Sequence, residues 1–570
     1  MRPEKKSAAS PRTTTFRSSS IAVSILAFCI TASIANAEQH ATLTHHVRQA
    51  AISGRAARMG SLPGTTQLNL AIMLPLRHEA DLDQLLLNAA EPEASGYREP
   101  LSVKEFTASY GPTQQDYDKI SRFAEANNLT IVATSANRIV LDVRGSAADI
   151  EKAFHLSIGV YQHPTENRTF YAPDREPTLD LDVPLWHISG LDNYSRPHPL
   201  YKHRPVETNS TSDFSNPSPL TGSGPGRQYL GSDMRAAYYG SGPLDGTGQS
   251  VGLFEFLGYE LSDVTLYFQT VNQPLNVAVK GVSVKGAKLG CPAKFCDDTE
   301  QDLDIVQAIS MAPAMTEALV YVGNNDVDIF NQMATDNIAK QLSCSWGWDP
   351  VDSNIDDPIF KEFAAQGQNL FAASGDNGAY VGTNKNNDDA WPADDANLVS
   401  VGATHLVTQG AGGPWDSEIA WNFSGGGPSP AKLKIPAYQQ LAGVINSSNR
   451  GSTAYRNAPD VAAEGDFDNF VCSDGSCSGG WAGTSFAAPR WAGFMALINQ
   501  QAVANGRKPL GFLNPLIYRI GIGSNYDSDF HDITSGNNTK FNAVVGYDLV
   551  DGWGSMNGSN LIDALAGNGK

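Results

Sequence analysis

A serine that opens a helix is most often a cap, and Ser485 is the position where that plain reading competes with chemistry. The run Gly483-Thr484-Ser485-Phe486-Ala487-Ala488-Pro489 leads into an apolar helical stretch through Ala502. A hydroxyl held on a glycine-bearing turn at a helix start, near the partial positive end of the helix, is a candidate nucleophile. Pro489 is expected in the first helical turn, where a missing N–H costs little. A nucleophilic serine needs a base, and histidine is the usual one. Residues 227–570 contain only His405 and His531, and neither opens a helix in a His-Gly-Thr context. A carboxylate is the alternative. In Glu300-Gln301-Asp302-Leu303-Asp304 the outer two acids are four apart, so on a helix they share one face while Asp302 turns away. Neighbouring carboxylates titrate as a pair, one able to act as a base while the other holds a hydrogen bond. The competing reading is an acidic first turn that complements the helix dipole, helped by Asp297 and Asp298. A third element is Ala373-Ser374-Gly375-Asp376-Asn377-Gly378, which follows an apolar strand. It is either a Gly/Asp turn or the place where a protonated Asp376 donates to an oxyanion, which would demand acid conditions.

The elements that must position these residues fall into two units. From about Gln67 to Asp192 the alternation in 67–74, 129–133 and 139–143 predicts strands, and 115–127 and 147–154 have helical spacing, with Ser146 as N-cap of the second. Residues 203–226 are rich in Ser, Thr, Asn, Pro and Gly and read as an exposed linker where processing falls. Beyond it, near-continuous apolar runs at 249–254, 318–322, 369–373 and 399–402 suit parallel strands buried on both faces. They alternate with helices at 300–311 and 486–502, an α/β layer architecture with no internal repeat.

With these residues in view, Gly-Thr-Ser-x-Ala-Ala-Pro resembles the nucleophile motif of subtilisin-like serine peptidases. The Glu-x-x-x-Asp, Ser-Gly-Asp and Gly-Thr-Ser motifs, in that order, resemble the sedolisins, the serine-carboxyl peptidases. Flanking stretches agree, including Trp391-Pro392-Ala393, Ala420-Trp421-Asn422-Phe423-Ser424-Gly425-Gly426 and Pro459-Asp460-Val461, with mild departures at Asn377 and Ala403. The resemblance implies that Glu300 is the base for Ser485, that Asp304 supports Glu300, and that Asp376 is the oxyanion acid. It also implies an auxiliary network of Glu255 and Trp346. It implies one structural Ca²⁺ held by the side chains of Asp532 and Asp548 and by backbone oxygens at Ile533, Val544 and Gly546, a set of hard oxygen donors that suits this ion. The fold implied is α/β, a subtilisin-like parallel sheet flanked by helices, preceded by an α+β prodomain with an antiparallel sheet. Leu101–Phe106, Tyr110-Gly111-Pro112 and Val183–Asn193 resemble a pro-kumamolisin-type activation domain. The expected organisation is a signal peptide at 1–37, a prodomain at 38–202, the linker at 203–226, and a catalytic domain at 227–570.

Composition agrees with a globular, exported protein. Hydrophobic residues make up 41% and charged residues 18% of 570 positions. The net charge of −20 argues against a nucleic-acid partner on electrostatic grounds. A basic start, an apolar run from Ile21 to Ile34 and Ala35-Asn36-Ala37 read as a secretory signal cut after Ala37, which leaves no membrane anchor. Five cysteines then remain. Cys291/Cys296 and Cys472/Cys477 could each close a small loop with Cys344 a buried thiol, or all could stay reduced. The expected function is a secreted, acid-acting, self-processing peptidase on protein or peptide substrates, inhibited by its own prodomain, monomeric, an endopeptidase rather than a tripeptidyl-peptidase. An inactive binding protein of the same fold and a neutral Ser-His-Asp enzyme are the alternatives.

Overall fold

The computed structural model describes residues 40–89, 100–205, 221–292, 295–380 and 390–567. The signal-peptide expectation and most of the expected linker, 206–220, lie outside these residues.

In the N-terminal unit, β1 (Gln67–Met73), β2 (Thr130–Thr134), β3 (Val140–Ser146) and β4 (His187–Ser189) form an antiparallel sheet in the order β2-β3-β1-β4. Helices α1 (Gln114–Ala126) and α2 (Ala147–Ala153) supply Ile120, Ala124 and Ile150 to a core shared with Leu68, Leu70 and Ile72 of β1. Both helices begin where the sequence places a hydroxyl cap. Thr113 accepts from the Asp116 N–H at 3.0 Å and Ser146 from the Asp149 N–H at 3.2 Å, which satisfies amides that the first turn leaves free.

The second unit is built on a parallel sheet. Its elements are β5 (Ser250–Glu255), α3 (Leu261–Thr270), β6 (Ala278–Ser283), α4 (Thr299–Met311), β7 (Glu317–Val322), β8 (Gln341–Cys344), β9 (Asn369–Ala373) and β10 (Val399–Thr408). They continue with β11 (Trp415–Ala420), β12 (Val461–Glu464), β13 (Asn469–Ser473), β14 (Ser476–Ala482) and α5 (Thr484–Ala504). The strand order is β6-β7-β5-β8-β9-β10, all parallel; β12 pairs in parallel with Val401–Thr404 of β10, and β11 runs antiparallel to its far half. Every residue of β8, β9 and β12 is buried, the polar Gln341, Ser343, Asn369 and Glu464 included, as expected of parallel strands covered on both faces.

Helix α4, and α5 from Thr484 through Asn499, are buried on all sides, a placement that only a helix apolar around its circumference tolerates, or one whose polar groups are used internally. They approach closely at Gly493, where a Cβ would sit 2.8 Å from the Ala308 carbonyl oxygen and from Met311 Cβ. Pro489 lies in the second turn of α5, not the first, because the helix begins at Thr484. Its missing N–H leaves the Ser485 carbonyl without an intrahelical donor, and the Ser345 hydroxyl approaches that oxygen at 3.5 Å. Disulfides join Cys291 to Cys296 and Cys472 to Cys477, and Cys344 is a buried thiol.

The two units meet through buried polar pairs. Asn137 Nδ2 donates to Glu362 Oε2 at 2.7 Å and to Asn331 Oδ1 at 2.8 Å, and Lys285 pairs with Asp142. Lys361 reaches Glu79 at 2.5 Å and Asp83 at 3.2 Å. Among the described residues, no helix is long and apolar enough to cross a membrane.

Candidate active site

Glu255 ends β5, Ser345 follows β8 and Asp376 follows β9, so three adjacent parallel strands deliver side chains at their carboxyl ends, where α/β sites gather. The first turn of α4 brings Glu300 and Asp304 to the same place, and the start of α5 brings Ser485. All of these residues are buried.

Three carboxyls form a continuous group. Trp346 Nε1 donates to Glu255 Oε2 at 2.9 Å, and the Ser345 hydroxyl donates to Asp304 Oδ1 at 2.8 Å. Among the described residues, Glu255 Oε1 and Asp304 Oδ2 accept no hydrogen bond within ordinary geometry, and the two groups interact with each other, with Gln301 also beside Glu255. Two ionised carboxylates cannot bond to one another, so a shared proton is what this contact requires. Burial pushes Glu255 and Asp304 above the usual carboxylate range, and the Asp304 charge raises Glu255 further. Glu300 is also raised, first by burial and then by Asp304 and Glu255, while the Ser485 hydroxyl pulls it back down. The hydroxyl's own bond runs to the Ser345 carbonyl at 3.2 Å, so neither Glu300 oxygen holds a full hydrogen bond here.

Asp376 is fixed by Thr484, whose backbone N–H and hydroxyl both donate to Oδ1 at 2.8 Å. Gly375 N–H in turn donates to the Thr484 hydroxyl at 3.1 Å. The two histidines of residues 227–570 lie elsewhere: His405 Nδ1 is 3.1 Å from Asp466 Oδ2, and His531 stacks on Trp415 at 4.0 Å.

A segment of the chain itself runs through this cleft. His198-Pro199 pairs antiparallel with Trp346-Gly347, and Lys202-His203 pairs antiparallel with Trp481-Ala482. Between them, Leu200 N–H donates to the Ser345 carbonyl at 3.0 Å and the Leu200 carbonyl accepts from Ser485 N–H at 3.2 Å. Gly483 makes this approach feasible. Its φ is +150°, and a Cβ there would lie 2.3 Å from the Leu200 oxygen and 2.9 Å from Asp376 Oδ2.

The family description "Pro-kumamolisin, activation domain" matches residues 55–193, and "Subtilase family" matches 269–509. Kumamolisin of Bacillus sp. (strain MN-32) is 28% identical over 566 residues, covering 93% of this chain and 96% of that protein. The chain is similar to the sedolisins over most of its length. Sedolisin of Pseudomonas sp. (strain 101) is likewise 28% identical, covering 90% of both chains. The solved Pseudomonas sedolisin, described as a serine-carboxyl proteinase complexed with pseudo-iodotyrostatin, superposes with a TM-score of 0.51 at 27% identity, over 60% of this chain and 99% of that one. The match to an activation domain thus precedes a region similar to sedolisin.

All the residues singled out around Ser485 converge, Glu255 and Trp346 included. Reading the sequence missed Ser345, which bonds to Asp304 and receives Ser485; its position after a parallel strand was the available signal. It also missed Leu200, which lies ahead of the composition-defined linker and gives no signal of its own.

The many buried acids set a pH dependence. A carboxyl whose folded pKa exceeds its unfolded value near 4 binds its proton more tightly in the folded state. It therefore contributes no penalty below about pH 4 and costs stability as pH rises toward its folded value. Burial pushes Glu362 up to about 8 despite donors from Asn137 and Gln366, and Asp394 up to about 6. Thermal unfolding of the full-length Ser485→Ala chain should show Tm falling between pH 4 and 8. Glu362→Gln should recover part of that loss, on the order of a few kcal/mol. Gly483→Ala should destabilise the chain by about 2 kcal/mol or more in denaturant titration, because backbone atoms cannot yield to the methyl.

Proposed function

We propose that this protein is an exported serine-carboxyl peptidase that works in acid, with Ser485 as nucleophile, Glu300 as base and Asp376 as oxyanion acid, and that it activates itself by cutting between Leu200 and Tyr201. The observation that carries the reading is the Leu200 carbonyl accepting from Ser485 N–H while its flanking residues pair on both sides of the cleft. This is how a peptide bond awaiting attack is held: extended, with its carbonyl on the donor that will stabilise the oxyanion.

The chemistry follows from the carboxyl arrangement. With Glu255 and Asp304 protonated in acid, the repulsion that raises Glu300 disappears, and the single negative charge of the trio settles where the Ser485 hydroxyl favours it. The hydroxyl must first turn from the Ser345 carbonyl to Glu300. Its oxygen then attacks the carbonyl carbon of Leu200, and its proton passes to Glu300. Because both donors from Thr484 fall on Asp376 Oδ1, a proton on Asp376 resides on Oδ2, the oxygen on the Gly483 side near Leu200. That group donates to the developing oxyanion together with Ser485 N–H. Collapse returns the proton from Glu300 to the Tyr201 amine, which leaves, and water resolves the acyl-enzyme with Glu300 again as base.

Endopeptidase action is favoured over removal of tripeptides. Leu200, Pro199 and His198 fill three positions ahead of the bond, and the chain continues past His198 to Ser195, whose hydroxyl accepts from Asp349 N–H at 2.9 Å. The cleft does not close after the third residue.

Residues 532–548 fit the calcium ion of the family. Asp532 accepts from Gly546 N–H at 3.2 Å, and Asp548 accepts from Val544 N–H at 2.8 Å. Asp551, buried between Asp548, Asp532 and Glu418, has no hydrogen-bond partner among the described residues for either oxygen. Such a gathering of oxygen donors without a counter-charge suits a hard cation. Asp532 and Asp548 would hold it with carbonyls of Ile533, Val544 and Gly546. It would brace the C-terminal loop and take no part in the reaction.

On incubation at pH 4, the wild-type chain should release a mature form whose N-terminus is Tyr201 by mass spectrometry, and Ser485→Ala should stay whole and inactive on peptides. A Ser485→Ala chain that still processes itself and cleaves substrate overturns the reading. Asp376→Asn, which keeps a neutral donor, should retain measurable activity whose alkaline limb moves up in pH. A uniform loss with no shift would leave Asp376 a geometric role alone.

A further inference from the structure

Asp302, flanked by the two proposed catalytic acids of α4, points to a different place. It meets Asp298 at the start of the same helix and Asp263 of α3, and one carboxylate oxygen from each lies within 4.8 Å of the other two. Oxygens around one Ca²⁺ sit about 2.3–2.6 Å from it, so any two of its ligands are separated by no more than about 5 Å. The three carboxylates meet that limit. All three are buried, Asp302 and Asp298 completely. Neither oxygen of Asp302 has a hydrogen-bond partner among the described residues, nor does Asp298 Oδ1. The other contacts hold the cluster's shape without neutralising it: Glu260 N–H donates to Asp298 Oδ2 and Gly475 N–H to Asp263 Oδ1, each at 3.0 Å.

An unpartnered carboxylate with no exposure is among the most costly groups a fold can hold, unless a cation or a proton accompanies it. The geometry points to a second hard-cation site, formed by Asp263, Asp298 and Asp302 and suited to Ca²⁺. The oxygen-only donor set disfavours softer metals. Its place gives it a purpose. Asp263 belongs to α3, Asp298 and Asp302 to the root of α4, and Gly475 to the turn between β13 and β14, the strand that runs directly into Ser485. An ion here would tie the helix that carries Glu300 to the hairpin that delivers the nucleophile. Two disulfides close loops beside it, just before Asp298 and across the same hairpin.

The ion would compete with protons. The charged groups that face Asp302 are acidic: Asp298 on its own helix, Asp263 from α3, Asp474 from the hairpin turn and Glu255 from β5. The Tyr259 hydroxyl is also near. Binding should therefore release protons and weaken as the solution is acidified.

The test is calcium stoichiometry on the full chain, stripped with chelator and dialysed against Ca²⁺ at pH 7, read by elemental mass spectrometry and by calorimetric titration. Two ions per chain are expected, falling to one in Asp302→Asn and, through the separate loop, to one in Asp532→Asn. Calcium should still raise the Tm of Asp532→Asn, and by less at pH 4 than at pH 7. If Asp302→Asn does not fold, Asp263→Asn serves the same purpose. A single ion lost in Asp302→Asn and kept in Asp532→Asn also upholds the site. A single ion lost in Asp532→Asn and kept in Asp302→Asn overturns it, as does retention of both ions in Asp302→Asn and Asp263→Asn.

Discussion

Everything around Ser485 depends on three carboxyls, Glu255, Asp304 and Glu300, being buried together without a basic partner in the contacts that define them. In water each would ionise near pH 4. In the interior, desolvation and mutual repulsion hold protons on the group, and the charge that remains goes where a hydroxyl can receive it. That one constraint explains why Trp346 and Ser345 each donate to a carboxyl oxygen, and why these donors come from the strand end at β8. On the proposed reading, it also lets Glu300 take the part that histidine plays in other serine peptidases.

Burial on this scale demands rigid walls. The close approach of α4 and α5 at Gly493 and the all-buried strands provide them. The same rigidity appears in the covering segment. Leu200 is almost fully buried and lies with its carbonyl on Ser485 N–H, so the N-terminal unit does more than sit beside the cleft. It threads its own continuation through it, and its polar contacts at Asn137, Asp142 and Glu79 hold that arrangement from the far side of the interface. Aromatic faces receive the residues beyond Leu200, with His203 stacked on Trp481 at 3.9 Å and Arg204 over Phe467 at 4.1 Å.

Buried acids recur beyond the site, at the helix root and in the C-terminal loop. In each, the repulsion among carboxylates has to be relieved by a proton or a cation. Asp302 and Asp304 make the contrast plain: two positions apart on one helix, they face different neighbours and serve different ends.

The sequence by itself determined the class of the fold and singled out the residues that meet around Ser485. Ser485, Glu300, Asp304 and Asp376 are legible because their spacing, the scarcity of histidines and the apolar strands around them are local or compositional facts. The hydroxyl caps Thr113 and Ser146 are legible for the same reason, since a cap acts within one turn. The tertiary structure alone decided what lies far apart in the chain and meets in space. Pro489 falls in the second turn because the helix starts at Thr484. Ser345 bonds to Asp304 across 41 residues. Leu200 reaches Ser485 although composition places the linker later. Asp263 joins Asp298 and Asp302 through the packing of α3 on α4. These are long-range contacts, fixed by which buried faces fit together, and no window of sequence records them.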